Sequence, residues 1–430
     1  MDGTQIVKRQ LENGLTVVLR EVHQAPVASF WLWYRVGSRN EVPGRTGASH
    51  WVEHMLFKGT PTFPKGTIDR LISREGGVSN AMTWIDWTTY FATLPADRIE
   101  LALRIEADRM VNALFDPDEV EAERTVIISE RQGSENNPRF RLAEAIQAIA
   151  FRVHPYHHMV IGDMADLKTM SRDDLYRHYR AYYVPNNAVA VAVGDFDGEA
   201  MLGQIEALFG SIPPGPVPPP PRREEPPPDG ERRVILQGEG TTAYVDLSIR
   251  APRALDPDYF PMIVLDAVMV GSGGLGMGGT TTNHTTRLYR RLVEGELATA
   301  VYGGITPTLD PYLGGYGATV RTGHTPEEVE AAIWAEIERV KQEPISEEEF
   351  AKALKQARAQ FAYSSESVTS QARWLGFAEM MDSYEWFFTY LDRLAQVTAE
   401  DVRRVAQTYF DRRNLIVGWY VPEERRDDGR

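Results

Sequence analysis

The sequence predicts an α/β protein built by duplication of one domain, and three observations carry that expectation. Apolar strand-like runs alternate with amphipathic helical stretches along the whole chain. Ser171, Asp174, Leu175, Tyr182, Tyr183 and Asn187 recur as Thr398, Asp401, Val402, Tyr409, Phe410 and Asn414, every pair offset by 227 in a chain of 430. Between the copies, residues 213–228 hold ten prolines in sixteen positions, a semi-rigid linker. The expected organisation is residues 1–210, a linker over 211–231, a homologous half over 232–424, and a frayed tail from 425 to 430.

In order, Ile6–Leu11 and Leu15–Arg20 flank an Asn13-Gly14 turn and read as a hairpin. Val27–Val36 is denser in apolar residues and reads as a more central strand. Thr46–Thr60 reads as one buried helix, followed by a short helix from Lys65 to Gly76. Strands are expected at Val78–Thr83 and Thr88–Leu94, the latter stopped by Pro95. Ala96–Leu114 is amphipathic, and Asp116-Pro117 opens a charged helix running to about Gly133. A helical stretch continues to about Phe151. Ser171 to Asp174 looks like a helix N-cap before the apolar strand Ala188–Val193. In the second half, Gly271–Gly279 is too glycine-rich to be rigid and lacks the Lys-Ser/Thr ending of a phosphate loop, so a flexible flap is expected.

Composition narrows the functional classes. Hydrophobic content of 43% and charged content of 25% describe an ordinary globular protein. A net charge of −15 argues against nucleic acid and anionic membranes as partners. With no cysteine, any metal must be held by histidines and carboxylates. No apolar run is long enough to span a membrane. Met1 leads straight into strand-like sequence without a signal-peptide core, so the cytoplasm is the expected location, with a removed leader left open.

The stretch that carries chemistry is His50-Trp51-Val52-Glu53-His54. Histidines four apart share a helical face about 5–6 Å apart at Cβ, which lets two imidazoles share one Zn²⁺. Glu53 shares that face and reaches a water on the metal, an arrangement suited to metal-assisted hydrolysis. With 9 histidines and 61 acidic residues such a pattern arises by chance on the order of a few per cent of the time. Two core histidines would explain it equally, so a third ligand is needed. Glu123 and Glu130 are two helical turns apart on one face, with Val126, Ile127 and Ile128 between them expected to anchor that helix in the core. Glu130 then ends a hydrophobic run, where an unpaired carboxylate would be costly and a metal would relieve it. An acidic face is otherwise more often solvated than ligating. His154, His157 and His158 read as surface or loop-packing residues.

These motifs, with Glu12-Asn-Gly-Leu15, Gly37-Ser-Arg-Asn-Glu41, Met55-Leu-Phe-Lys-Gly-Thr60, Gly76-Gly77-x-x-Asn80-Ala81-x-Thr83 and Pro185-Asn-Asn187, make the chain resemble the pitrilysin/insulinase family of zinc peptidases over nearly all of residues 5–424. The likeness is nearest to the mitochondrial-processing-peptidase-like branch. The resemblance implies two homologous half-domains, each a mostly antiparallel sheet flanked by helices, enclosing a chamber for peptides. It implies zinc ligands at His50, His54 and Glu130, with Glu53 as general base. Glu123 would be a carboxylate orienting a ligand, and Asn80 and Ala81 would grip the substrate backbone by strand addition.

One departure follows. The family's second domain presents an Arg and a Tyr seven apart, and those positions count to Val293 and Ala300 here, neither a hydrogen-bond donor. A slip in that alignment would bring in Arg291 or Tyr302 instead. The resemblance therefore implies a zinc-carrying subunit whose homologous partner, lacking the zinc motif, supplies the pair; a homodimer is the other arrangement. The expected function is a zinc endopeptidase acting on short or unfolded peptides. The competing class is a non-catalytic structural subunit, which would have no need of His50, Glu53, His54 and Glu130 together.

Overall fold

Two β-sheets of matching design dominate the computed structural model, which describes residues 6–271 and 283–423. The Gly271–Gly279 loop beyond its first residue, and the tail after Glu423, lie outside the described residues. The first sheet contains β1 (Ile6–Gln10), β2 (Thr16–Glu21), β3 (Val27–Tyr34), β4 (Val78–Thr83), β5 (Thr88–Pro95) and β6 (Ala188–Gly194), in the order β1-β2-β6-β3-β5-β4. The second contains β7 (Arg232–Gly238), β8 (Tyr244–Arg250), β9 (Ala298–Ile305), β10 (Leu313–Val320) and β11 (Leu415–Pro422), in the order β7-β11-β8-β10-β9. In each sheet the pairing of β2 with β6, or β7 with β11, is parallel and the other pairings are antiparallel. The mixed, mostly antiparallel α/β class read from the sequence is the observed one.

The duplication extends to side chains. Helices Arg172–Tyr182 and Ala399–Tyr409 both start on a capping box, Ser171 with Asp174 and Thr398 with Asp401. Asn187 then donates to the carbonyls of Tyr182 at 2.9 Å and Arg35 at 3.4 Å. Asn414 does the same to Tyr409 at 2.8 Å and Arg250 at 3.2 Å.

The compact units are not the continuous halves drawn on the sequence. One unit comprises residues 1–133, 158–223 and 365–387; the other comprises 134–157, 224–364 and 388–430. Helix Pro138–Ala150 thus packs on the second sheet, where Gly418 makes room for it: a Cβ there would sit 2.5 Å from Ile146. Helix Val368–Met381 packs on the first sheet, where Gly376 accommodates the indole of Trp33 and Thr369 bonds Thr93 at 2.8 Å. Periodicity identifies both helices but not which of two similar apolar sheets each covers. The proline-rich stretch carries no helix or strand. Val217 packs on the first unit's core, while Glu225 accepts the backbone N–H groups of Arg152, Val153 and His154 in the second unit.

The expected Thr46–Thr60 helix is shorter, Ala48–Met55. The chain leaves it in turns toward Gly59, whose φ of 104° is left-handed and whose Cβ position lies 2.6 Å from the Lys65 nitrogen. Among the described residues no helix is long and apolar enough to cross a membrane.

Candidate metal centre

Helix Ala48–Met55 buries Trp51, Val52 and Met55 completely and turns its other face, with His50, Glu53 and His54, to a partly open site. The histidine rings lie 4.6 Å apart by centroid. Nε2 of His50 is 3.9 Å, and Nε2 of His54 is 3.8 Å, from the same oxygen of Glu130. Among the described residues these three form the one grouping of potential metal ligands, all donor atoms within 4.8 Å of one another.

Tetrahedral zinc with bonds near 2 Å needs its donors about 3.4 Å apart. The observed separations exceed that by roughly half an ångström, which Glu130, with 49% of its side chain exposed, can close by a small rotation. Burial, then the neighbouring His54, lowers the His50 pKa to about 3, so its lone pair is free at neutral pH as metal binding requires. The residues fit the ion.

Glu123 accepts from Nδ1 of His54 at 2.8 Å, which turns Nε2 toward Glu130. Lys58 pairs with the other Glu123 oxygen. Burial works against the Glu123 carboxylate, but Lys58 and His54 outweigh it and its pKa falls below the ordinary value. The Glu53 carboxylate accepts from Thr83 Oγ1 at 2.5 Å; burial raises its pKa, with the Thr83 bond opposing. Neither Lys58 nor Thr83 was assigned a role from the sequence, although both stand inside motifs that carried the resemblance.

The burial expected around Glu130 is not observed. Helix Pro117–Glu135 buries Val120, Glu123, Ile127 and Arg131, so Val126 falls off the buried stripe and is exposed. Glu130 falls off it as well. Desolvation therefore does not force a metal on Glu130; the buried acid is Glu123, already paired. Of the two alternatives read for the other histidines, surface or loop-packing, His158 takes the second: it is 4% exposed and bonds Glu41. His154 is also buried and contacts Asp310 at 3.2 Å.

Asn80 and Ala81 lie on β4, the strand that ends the first sheet among the described residues. The Asn80 side-chain oxygen accepts the Ala81 N–H at 2.9 Å. In the second unit Val293 sits in the short helix Tyr289–Glu294, and Ala300 is exposed on β9. Arg291 is exposed, and Tyr302 points its hydroxyl at Asp246 (3.4 Å) with Arg139 over its ring.

Comparison with known proteins gives a consistent result. Residues 16–164 match the model for insulinase (peptidase family M16), and residues 169–357 match that for the peptidase M16 inactive domain. The zinc protease PqqE of Helicobacter pylori is 28% identical, covering 95% of this chain and 88% of that protein. The mitochondrial-processing peptidase subunit beta of Lentinula edodes is 26% identical, covering 93% and 86%. The crystal structure of a protease from Helicobacter pylori superposes with a TM-score of 0.92 at 26% identity, over 97% of this chain and all of that one.

Proposed function

This chain belongs to the insulinase (M16) family of metallopeptidases, and on that premise we propose that it is a zinc-dependent endopeptidase, or the catalytic subunit of one, acting on short or unfolded peptides. The observation that carries the reading is the convergence of both histidine Nε2 atoms on one Glu130 oxygen, with Glu53 on the same helix face.

His50, His54 and Glu130 would hold the zinc, which when bound would supply a Lewis acid for the scissile carbonyl and lower the pKa of a water to about 7. Glu53 takes the proton of the attacking water at its carboxylate and returns it to the leaving amine. Its raised pKa suits that exchange, and Thr83 fixes the carboxylate's orientation. Glu123, steadied by Lys58, fixes the tautomer and rotation of His54. The outer edge of β4 takes the substrate backbone as an added strand. The Asn80 side chain occupies the Ala81 N–H and swings aside when peptide replaces it.

Val293 and Ala300 offer no donor to substrate, which supports a homologous partner subunit that supplies an Arg/Tyr pair; positioned donors of this kind contribute about 10²–10³ in rate. Glu53→Gln should keep zinc while peptide turnover falls about 10²–10⁴-fold, measured on an unstructured fluorogenic peptide with and without chelator. Normal turnover by that variant contradicts the mechanism. Strong turnover by the purified chain alone contradicts the heterodimer. A zinc-loaded chain that stays inactive with its co-purified partner supports the structural-subunit reading.

A further inference from the structure

The metal-bearing helix is eight residues long, too short to be stable by itself, and it begins at Gly47, which has no side chain to cap it. The cap comes from elsewhere. One Glu41 carboxylate oxygen accepts the N–H of Gly47 at 2.7 Å, and the other accepts the N–H of Ser49 at 2.7 Å. His158 Nε2 contacts the first oxygen at 2.9 Å, and both side chains of this pair are almost fully buried.

The entry to the helix is also clamped by the segment that follows His158. Asp166 accepts from the Thr46 backbone and hydroxyl at 3.0 and 2.8 Å, and Asp163 donates its N–H to that hydroxyl at 2.8 Å. Gly162 lies so close that a Cβ there would sit 2.4 Å from the Thr46 carbonyl. His50 is on the first turn, one residue beyond Ser49, whereas Glu53 and His54 are on the second.

We propose that Glu41, backed by His158, is a positioning residue that fixes the first turn of this helix and so holds His50 ready for the metal. The inference rests on the metal reading above and adds to it a pair of residues with no ligand role. A carboxylate at a helix N-terminus is favoured by the helix dipole, and its two N–H bonds are charge-assisted. Losing it frays the first turn before the second, so one histidine loosens while the other stays.

The test compares the wild-type chain with Glu41→Gln and His158→Gln, each checked for an unchanged far-ultraviolet spectrum. Hydrogen exchange of the zinc-free chains should quicken at least about tenfold over residues 47–50 in Glu41→Gln and stay unchanged over 53–56. Zinc affinity, read by chelator competition, should drop about 10–100-fold, and the cobalt-substituted absorption bands should shift. His158→Gln should move each readout the same way by less. Exchange and zinc affinity within twofold of wild type in Glu41→Gln would overturn the proposal. A wild-type chain that takes up no zinc instead overturns the peptidase reading, and the exchange comparison still decides whether Glu41 fixes the first turn.

Discussion

The two sheets hold equivalent positions to opposite uses. Tyr90 on β5 and Tyr316 on β10 occupy the same register, opposite Leu32 in one sheet and Leu247 in the other. Beneath the first sheet, the Arg109 guanidinium stacks on Tyr90 at 4.1 Å and pairs with Glu106. Beneath the second, Tyr316 donates to Asp266 at 3.0 Å, and Asp266 also accepts from the Ile305 N–H at 2.8 Å. Helix Ala48–Met55 offers His50, Glu53 and His54 to an open face, whereas helix Tyr259–Met269 is buried along its whole length. One scaffold thus carries reactive groups in its first copy and a sealed core in its second. The difference is seen in the helices that follow β3 and β8, one with a polar, partly open face and the other buried throughout.

The hardest way to break the contrast is Glu106→Gln. It leaves Arg109 buried at 3% exposure without a counter-charge and should cost about 3–5 kcal/mol of stability, read as a lower denaturation midpoint.

Glu123→Gln acts on the open site through a buried carboxylate. It should weaken zinc binding about 10–100-fold, and it should lower the melting temperature of the zinc-free chain by less than Glu106→Gln does, because the Lys58 it unpairs keeps some access to water where Arg109 does not.

Asp266→Asn probes the sealed side. Burial pushes the Asp266 carboxyl from its ordinary 3.8 up to about 7, so the folded chain retains a proton that the unfolded chain releases. Stability from this group is fully present below the unfolded value and is lost as pH rises through about 7. The variant should therefore gain on wild type as pH is raised from 5 to 8 in parallel denaturant titrations. A difference that stays flat would mean Asp266 is ionised throughout.

The smallest effects should be equal. Ser171→Ala and Thr398→Ala remove corresponding caps and should each cost about 1 kcal/mol. Costs that differ more than twofold would mean the repeat is geometric but not energetic.

Local pattern made much of this legible. β4 runs over Val78–Thr83, the residues expected, and the offset of 227 gave the duplication. The His50/His54 face and the Glu123/Glu130 spacing follow from helical geometry. What could not be read depends on tertiary placement. Glu130 is half-exposed because the helix buries the stripe through Glu123 and Ile127, a rotation that Val126-Ile127-Ile128 leaves open. Glu41 and His158 meet across 117 residues with no spacing rule to announce them. The exchange of helices Pro138–Ala150 and Val368–Met381 between units is invisible because both sheets present similar apolar faces.

The central claim is a metal held by the first unit through two imidazoles and a carboxylate. Metal content by plasma mass spectrometry, after zinc loading and removal of excess, tests it most directly when the wild-type chain is run beside a folded His50→Ala/His54→Ala double variant. One zinc per wild-type chain and essentially none in the variant is the expected result; a zinc-free wild type, or equal zinc in both, would contradict the metal centre.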